Sequence, residues 1–165
     1  MIVIDNAIAL RCANEPLVQA DEIRVKARSM VVWMGLALMV STRLWLGGVV
    51  SRTRDTNLAD RLLRQVRGCS QVACAILVCT DGWVAYPNSI RRAFRDKVKR
   101  KAGRGRASLQ VWSGLHIGTV IKHTVNKRLR EVVRQMSHGS MAQAMQLLQR
   151  SEGGQVLNTS YLESL

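Results

Sequence analysis

The sequence predicts an α/β fold: a mixed sheet of about five strands with helices on both faces. Three observations predict it. The run Val18-Gln19-Ala20-Asp21-Glu22-Ile23-Arg24-Val25-Lys26-Ala27 alternates with period two, as a half-buried strand does. The apolar stretch from Val31 to Val50 is interrupted at Ser41-Thr42-Arg43, which divides it into two strands of an antiparallel meander. Ala75 to Thr80 is continuously apolar, the signature of a strand covered on both faces.

The remaining elements follow in order. In the first strand Ile23, Val25 and Ala27 share a face with Asp21, and Glu22, Arg24, Lys26 and Arg28 take the other, basic face. An unpaired carboxylate on an apolar face is costly, so Asp21 needs a partner. Val31–Ser41 and Arg43–Ser51 complete the meander. Asp55-Thr56-Asn57 caps a helix with Leu58, Leu62, Leu63 and Val66 on one face, stopped by Gly68. Pro87 starts a second helix, expected to run to about Lys99. Ser108–Trp112 and Gly118–Lys122 are short strands. Val125–Met136 reads as a helix with Leu129, Val132, Val133 and Met136 inward. Ser140 caps a further helix, Met141–Arg150, ended by Gly153-Gly154, with Met136, Met141 and Met145 expected in the core. Residues 1–16 are poorly patterned and are expected to be an N-terminal remnant.

The chain has 165 residues, 47% of them hydrophobic, enough for one domain with a real core. A net charge of +14 calls for a polyanionic partner, with nucleic acid the default and an acidic membrane surface the competitor. Neither part of the Val31–Val50 stretch reaches the length a bilayer span needs, and no signal peptide is visible. A membrane-associated protein would need that stretch to be helical. Cys12, Cys69, Cys74 and Cys79 form no CxxC pair and are expected to be reduced, buried thiols of a cytosolic protein. His116, His123 and His138 have no metal-ligand spacing.

The chain has 11 acidic residues, and three fall where a fold can gather them. Asp21 is on a strand, Asp81 ends the buried strand, and Glu163 lies in Leu157-Asn158-Thr159-Ser160-Tyr161-Leu162-Glu163, a helix start. Divalent metal is the usual reason that such acids tolerate one another, and two ions can clamp a phosphodiester. Glu22 is the nearest decoy, excluded by its basic face. Gly82 permits close backbone approach. Trp83 and Tyr86 are candidates to stack on a base, with a core role the plainer alternative for Trp83. Asn158 either orients Glu163 or DNA or serves a turn. From Arg91 to Arg106 nine cations, Arg91, Arg92, Arg95, Lys97, Lys99, Arg100, Lys101, Arg104 and Arg106, face one acid. This run is the best electrostatic candidate for phosphate contact. If roughly six phosphates are neutralised, affinity should fall with about the fifth power of salt.

These residues together resemble the catalytic domain of bacterial insertion-sequence transposases of the DDE type. The resemblance rests on Asp21-Glu22-Ile23-Arg24-Val25-Lys26, Val49-Val50-Ser51-Arg52-Thr53-Arg54-Asp55, Cys79-Thr80-Asp81-Gly82-Trp83 with Tyr86, and Leu157 to Glu163, in that order over residues 17–165. It implies a ribonuclease-H-like (integrase-like) fold, with Asp21, Asp81 and Glu163 as catalytic and metal-binding triad. Two Mg²⁺ ions, with Mn²⁺ able to substitute, would serve DNA cleavage and strand transfer. The implied partners are double-stranded DNA, both terminal repeats and target, and further copies of the full-length chain; no membrane is implied. The implied location is the bacterial cytoplasm, at the nucleoid when bound to DNA. The chain departs from the family in starting about twenty residues before Asp21 and stopping two residues after Glu163. The expectation is an incomplete catalytic domain, cutting poorly or not at all. The alternative is a non-catalytic basic nucleic-acid-binding protein with structural acids.

Overall fold

A computed structural model describes residues 17–70, 74–99 and 106–163, with the backbone alone described for Ala27 and Glu163. The expected N-terminal remnant, and Cys12 within it, lies outside the described residues. The chain order is β1 (Leu17–Ala27), β2 (Met30–Met39), β3 (Trp45–Ser51), α1 (Thr56–Cys69), β4 (Ile76–Asp81), α2 (Ala85–Ala93), β5 (Arg95–Val98), β6 (Ser108–Val111), β7 (Leu115–Val125), β8 (Arg128–His138), α3 (Met141–Arg150) and α4 (Ser160–Glu163).

Six strands form one mixed sheet in the order β3-β2-β1-β4-β7-β8, one more than expected. β1, β2 and β3 are the antiparallel meander, β4 joins β1 and β7 in parallel, and β8 returns antiparallel to β7. β5 and β6 pair separately as a small antiparallel sheet. Val31–Val50 is therefore two strands and the turn between them, which removes the membrane reading that needed it helical. Among the described residues no helix is long and apolar enough to cross a membrane.

Alternation distributes the sheet's apolar side chains between two cores. Val18, Ala20, Ile76 and Val78 pack with Leu58, Leu62, Leu63, Val66, Tyr86 and Ile90 of α1 and α2. Leu17, Leu77 and Cys79 pack on the opposite face with Ala144, Leu147 and Leu148 of α3, and with Leu157 and Leu162. Helices thus cover both faces, as β4's unbroken apolar run requires. Asp55 caps α1 as expected, its side chain accepting the Leu58 N–H at 3.0 Å. Ser140 caps α3, accepting from the Gln143 N–H at 3.5 Å.

Four expectations are corrected. The segment Val125–Met136 is not a helix: β8 pairs with β7 from Val125↔Arg128 to Ile117↔His138. The turn between them is Asn126-Lys127, both left-handed at φ 50 and 62, as a two-residue hairpin turn demands. The helix begun near Pro87 ends at Ala93, well short of Lys99, because Phe94 is buried and its carbonyl accepts the Trp112 N–H at 3.0 Å. The next residues then pair as β5. Helix α1 runs one residue past Gly68, to Cys69. Met141 is 41% exposed and not core, whereas Met136 and Met145 pack against the second core.

A candidate acidic site at the ends of the central strands

The parallel pairing of β1 with β4 runs from Leu17↔Leu77 to Ala20↔Thr80 and stops. One residue further, Asp21 on β1 and Asp81 on β4 stand side by side on the same sheet face, since parallel partners share an orientation. This is the carboxyl end of β4, the edge at which open α/β sheets place ligands. Asp21 Oδ1 accepts the Glu22 N–H at 2.8 Å, and Asp81 Oδ1 accepts the Trp83 N–H at 3.0 Å. Both acids line an open cleft of about 470 Å³ with Arg54, Trp83, Lys122 and Thr159 among its walls. Gly82 is closed in by Ile121, whose Cγ1 would lie 3.2 Å from an added Cβ.

Glu22 corrects the sequence reading. Its side chain is only 3% exposed, and carboxylate atoms of Asp21, Glu22 and Asp81 lie within 4.8 Å of one another. The outward, basic face assigned to it holds only beyond the point where β4 ends: Arg24 and Lys26 are exposed there. At residue 22 that face still abuts α2. Burial raises the Glu22 pKa above the usual carboxylate range, the Asp81 charge raises it further, and Tyr86 and Arg54 oppose the rise. Burial, with the Glu22 charge next, in turn pushes the Tyr86 hydroxyl well above its ordinary value.

Arg54 supplies the compensating charge. Its Nε donates to Glu22 Oε1 at 2.6 Å, a second guanidinium nitrogen donates to the same oxygen, and that nitrogen lies 3.7 Å from Asp81 Oδ2. The guanidinium is 4.6 Å from the Trp83 ring centre and 5.4 Å from that of Trp33. The preceding loop is fixed by Thr53, which donates through its hydroxyl to Asp55 Oδ2 at 2.8 Å and through its N–H to Ser51 Oγ at 3.2 Å.

Glu163 ends α4, and its side chain lies outside the described residues. What holds α4 against β1 is Gln19, 1% exposed. Its Nε2 donates to the Asn158 carbonyl at 2.9 Å and to Asn158 Oδ1 at 2.8 Å, and its Oε1 accepts the Tyr161 N–H at 3.1 Å. Asn158 also donates to the Gly153 carbonyl at 3.2 Å. Asn158 thus serves the turn and the clamp. Gln19 lies two residues before Asp21 on the same face of β1, so the clamp brings the Glu163-bearing helix to the acidic end of the sheet.

The other candidates separate. Trp83 is half-buried and edge-on to Tyr86, with ring centres 5.2 Å apart. Tyr86 itself is 1% exposed, which closes its ring to a base. Arg91 donates to the Ser137 carbonyl and to Asn88 Oδ1, and Arg92 to Asp60 Oδ1 at 2.8 Å. Arg95, Lys97, Lys99 and Arg106 are exposed. Arg100, Lys101 and Arg104 lie outside the described residues. The single acid of that run, Asp96, is engaged by Arg67 at 3.1 Å and by the Trp112 indole N–H at 2.7 Å.

The donor set fits a hard divalent cation. All three groups offer oxygen, the donor that Mg²⁺ and Mn²⁺ prefer. At metal–oxygen distances of about 2.1 Å, two ligands of one ion stand at most ~4.2 Å apart, so three oxygens within 4.8 Å of one another need at most a small closure to share an ion. The Glu22 carboxylate is engaged from within the protein, by Arg54 on Oε1 and by the Tyr86 hydroxyl.

No protein-family model matches the chain, and no curated protein matches it in sequence.

Proposed function

We propose that the chain is the catalytic domain of a DDE-type DNA transposase with a ribonuclease-H-like fold, acting on DNA phosphodiesters with divalent metal. The observation that carries this reading is the juxtaposition of Asp21 and Asp81, one residue past the last β1–β4 pair, on one face and in an open cleft. The meander of three antiparallel strands followed by parallel β4 and β7 supports the fold assignment. The net charge of +14 supports a polyanionic substrate.

Asp21 and Asp81 would hold the metal, with Glu163 completing the set from α4 and Glu22 held beneath them. Bound there, paired Mg²⁺ ions supply a lowered pKa for the attacking hydroxyl or water and charge neutralisation for the leaving oxygen. The protein's own part is positional. Gln19 fixes α4 on β1, and the Trp83 N–H orients the Asp81 carboxylate. Arg54 balances the carboxylates, and its 34% exposed side chain is accessible to a phosphate.

Nicking of supercoiled plasmid in Mg²⁺ or Mn²⁺ tests this, together with calorimetric Mn²⁺ binding. Wild type is expected to bind Mn²⁺ and to nick poorly or not at all; Asp21→Asn and Asp81→Asn are expected to lose Mn²⁺ binding and any residual nicking. The second reading, a metal-independent basic DNA-binding protein, is favoured by the contacts of Arg54 with Glu22 and Asp81, which already balance the acids. It predicts DNA binding that is indifferent to metal and to both substitutions. DNA binding with no Mn²⁺ uptake would overturn the transposase reading in its favour.

A further inference from the structure

Beyond the acidic cleft the sheet carries a projecting ribbon. Val120 is the β7 residue paired with Asp81, and β7 continues for five more residues. At about 3.3 Å per residue its tip stands roughly 17 Å past the acids. Residues 122–131 are all exposed, so this part of the β7–β8 hairpin is packed on neither core. Between residues 122 and 134 lie five cations, Lys122, Lys127, Arg128, Arg130 and Arg134, against one acid, Glu131. The ladder passes from Thr124↔Leu129 to His123↔Glu131, which leaves Arg130 as the extra residue of a bulge. Such a bulge twists a ribbon and re-aims its side chains. Val125 and Leu129 at the tip are 51% and 57% exposed.

We infer that this hairpin is a duplex-DNA contact, a two-stranded ribbon that grips the backbone beside the cleft through Lys127, Arg128 and Arg130. A two-stranded ribbon fits the major groove, which is about 12 Å wide. Its base forms the cleft wall at Val120, Ile121 and Lys122, so duplex lying across the acids meets the ribbon within about half a helical turn. The sequence-favoured run contributes less, since Arg91 and Arg92 are already spent on Ser137 and Asp60. The inference rests on the nucleic-acid reading and names its second contact surface.

The test is fluorescence anisotropy of labelled duplex DNA from 50 to 200 mM salt, with circular dichroism confirming that each variant folds. The triple variant Lys127→Ala, Arg128→Ala, Arg130→Ala is expected to lower the slope of log affinity against log salt by about 2.7, at 0.9 per phosphate contact. Wild type then loses roughly 40-fold more affinity than the variant over that fourfold salt change. Arg95→Ala, Lys97→Ala, Lys99→Ala should change the slope less. A ribbon variant that binds as wild type does overturns the inference, whatever the nicking assay gives. So does a ribbon variant that only converts a wild-type dimer to monomer in sedimentation, which would make the tip a contact between chains. Wild type that binds no duplex overturns the inference and the transposase reading together.

Discussion

Replacing Arg54 by Ala removes the one guanidinium that the structure sets between Glu22 and Asp81. Stripping one partner from a fully buried ion pair costs about 3–5 kcal/mol, and a surface pair is worth at most about 1. Glu22 is buried to 3% exposure, but Arg54 is 34% exposed and its place can be taken by water. The expected cost therefore lies between those limits, at about 2 kcal/mol, with a further ~0.5 for the lost contact with the Trp83 ring. For a chain of this size that is a fall of roughly 5–10 °C in Tm. The sign of the pH dependence follows from Glu22. Its pKa is already raised in the fold, and Arg54 is one of the groups opposing that rise, so the variant's Glu22 is raised further. A carboxyl raised in the folded state holds its proton there after the unfolded chain has released it near 4.5. Stability is then greatest below that point and is lost as pH climbs through the folded value. Urea unfolding at pH 4.5, 6.0 and 7.5 should show a penalty that is smallest at the first and largest at the last. In a Glu22→Gln background the same substitution should cost below about 1 kcal/mol, because no buried charge is orphaned. An equal penalty at all three pH values and in both backgrounds would refute the role given to Arg54.

Other outcomes follow from the same geometry. Millimolar Mg²⁺ should raise the Tm of Arg54→Ala more than that of wild type, reaching about 2.7 kcal/mol of stabilisation at a hundred times Kd; equal shifts in thermal melts would count against metal at the cluster. Gln19→Ala leaves the Tyr161 N–H without its acceptor and costs about 1–3 kcal/mol, and hydrogen exchange should quicken at Tyr161 before it does in β4. Leu62→Ala, at a site with no exposure, should cost about 2–5 kcal/mol in urea with an unchanged m value. His116 is held below its ordinary pKa by burial and by His138. Its contribution is therefore present above about pH 6.5 and is lost on acidification, a slope that His116→Gln should flatten.

The meander, α1 and β4 were legible because each is dictated by local chemistry: alternation, an Asx cap, an unbroken apolar run. The hairpin β7–β8 was not, because Leu129, Val132, Val133 and Met136 fall at spacings of three, one and three. That spacing suits a helix face, and an irregular strand produces it as well. The bulge at Arg130 breaks the period-two signal just where it would have been read. The turn carried a weaker cue, Asn126, a residue tolerant of the left-handed region; Lys127 beside it has no such preference. The helix from Pro87 was overrun for a tertiary reason. Phe94 is drawn into the core against Trp112, with ring centres 5.2 Å apart, and that contact is not local in sequence.

The acidic site divides along the same line. Asp21 and Asp81 were legible as a pair because parallel strands carry residues of matching register onto one face, and Asp81 ends a buried strand while Asp21 lies within another. Glu22 was missed because alternation was read forward from Asp21, through Arg24 and Lys26. Read backward, Val18 and Ala20 share its parity and are both fully buried, so the face that looked solvated is the face of the larger core. One strand thus changes environment at residue 21, where β4 ends and β1 runs on beside β2 alone. Arg54 had no sequence signal beyond its place before the Asp55 cap, since its partners lie 32 and 27 residues away. A buried acid with a distant cation and an open edge beside it is what the transposase reading needs, and it is also what a structural ion pair needs. The difference lies in metal uptake: a site built only for Arg54 takes up no Mn²⁺, whereas a metal site loses its Mn²⁺ when Asp21 or Asp81 is replaced by Asn.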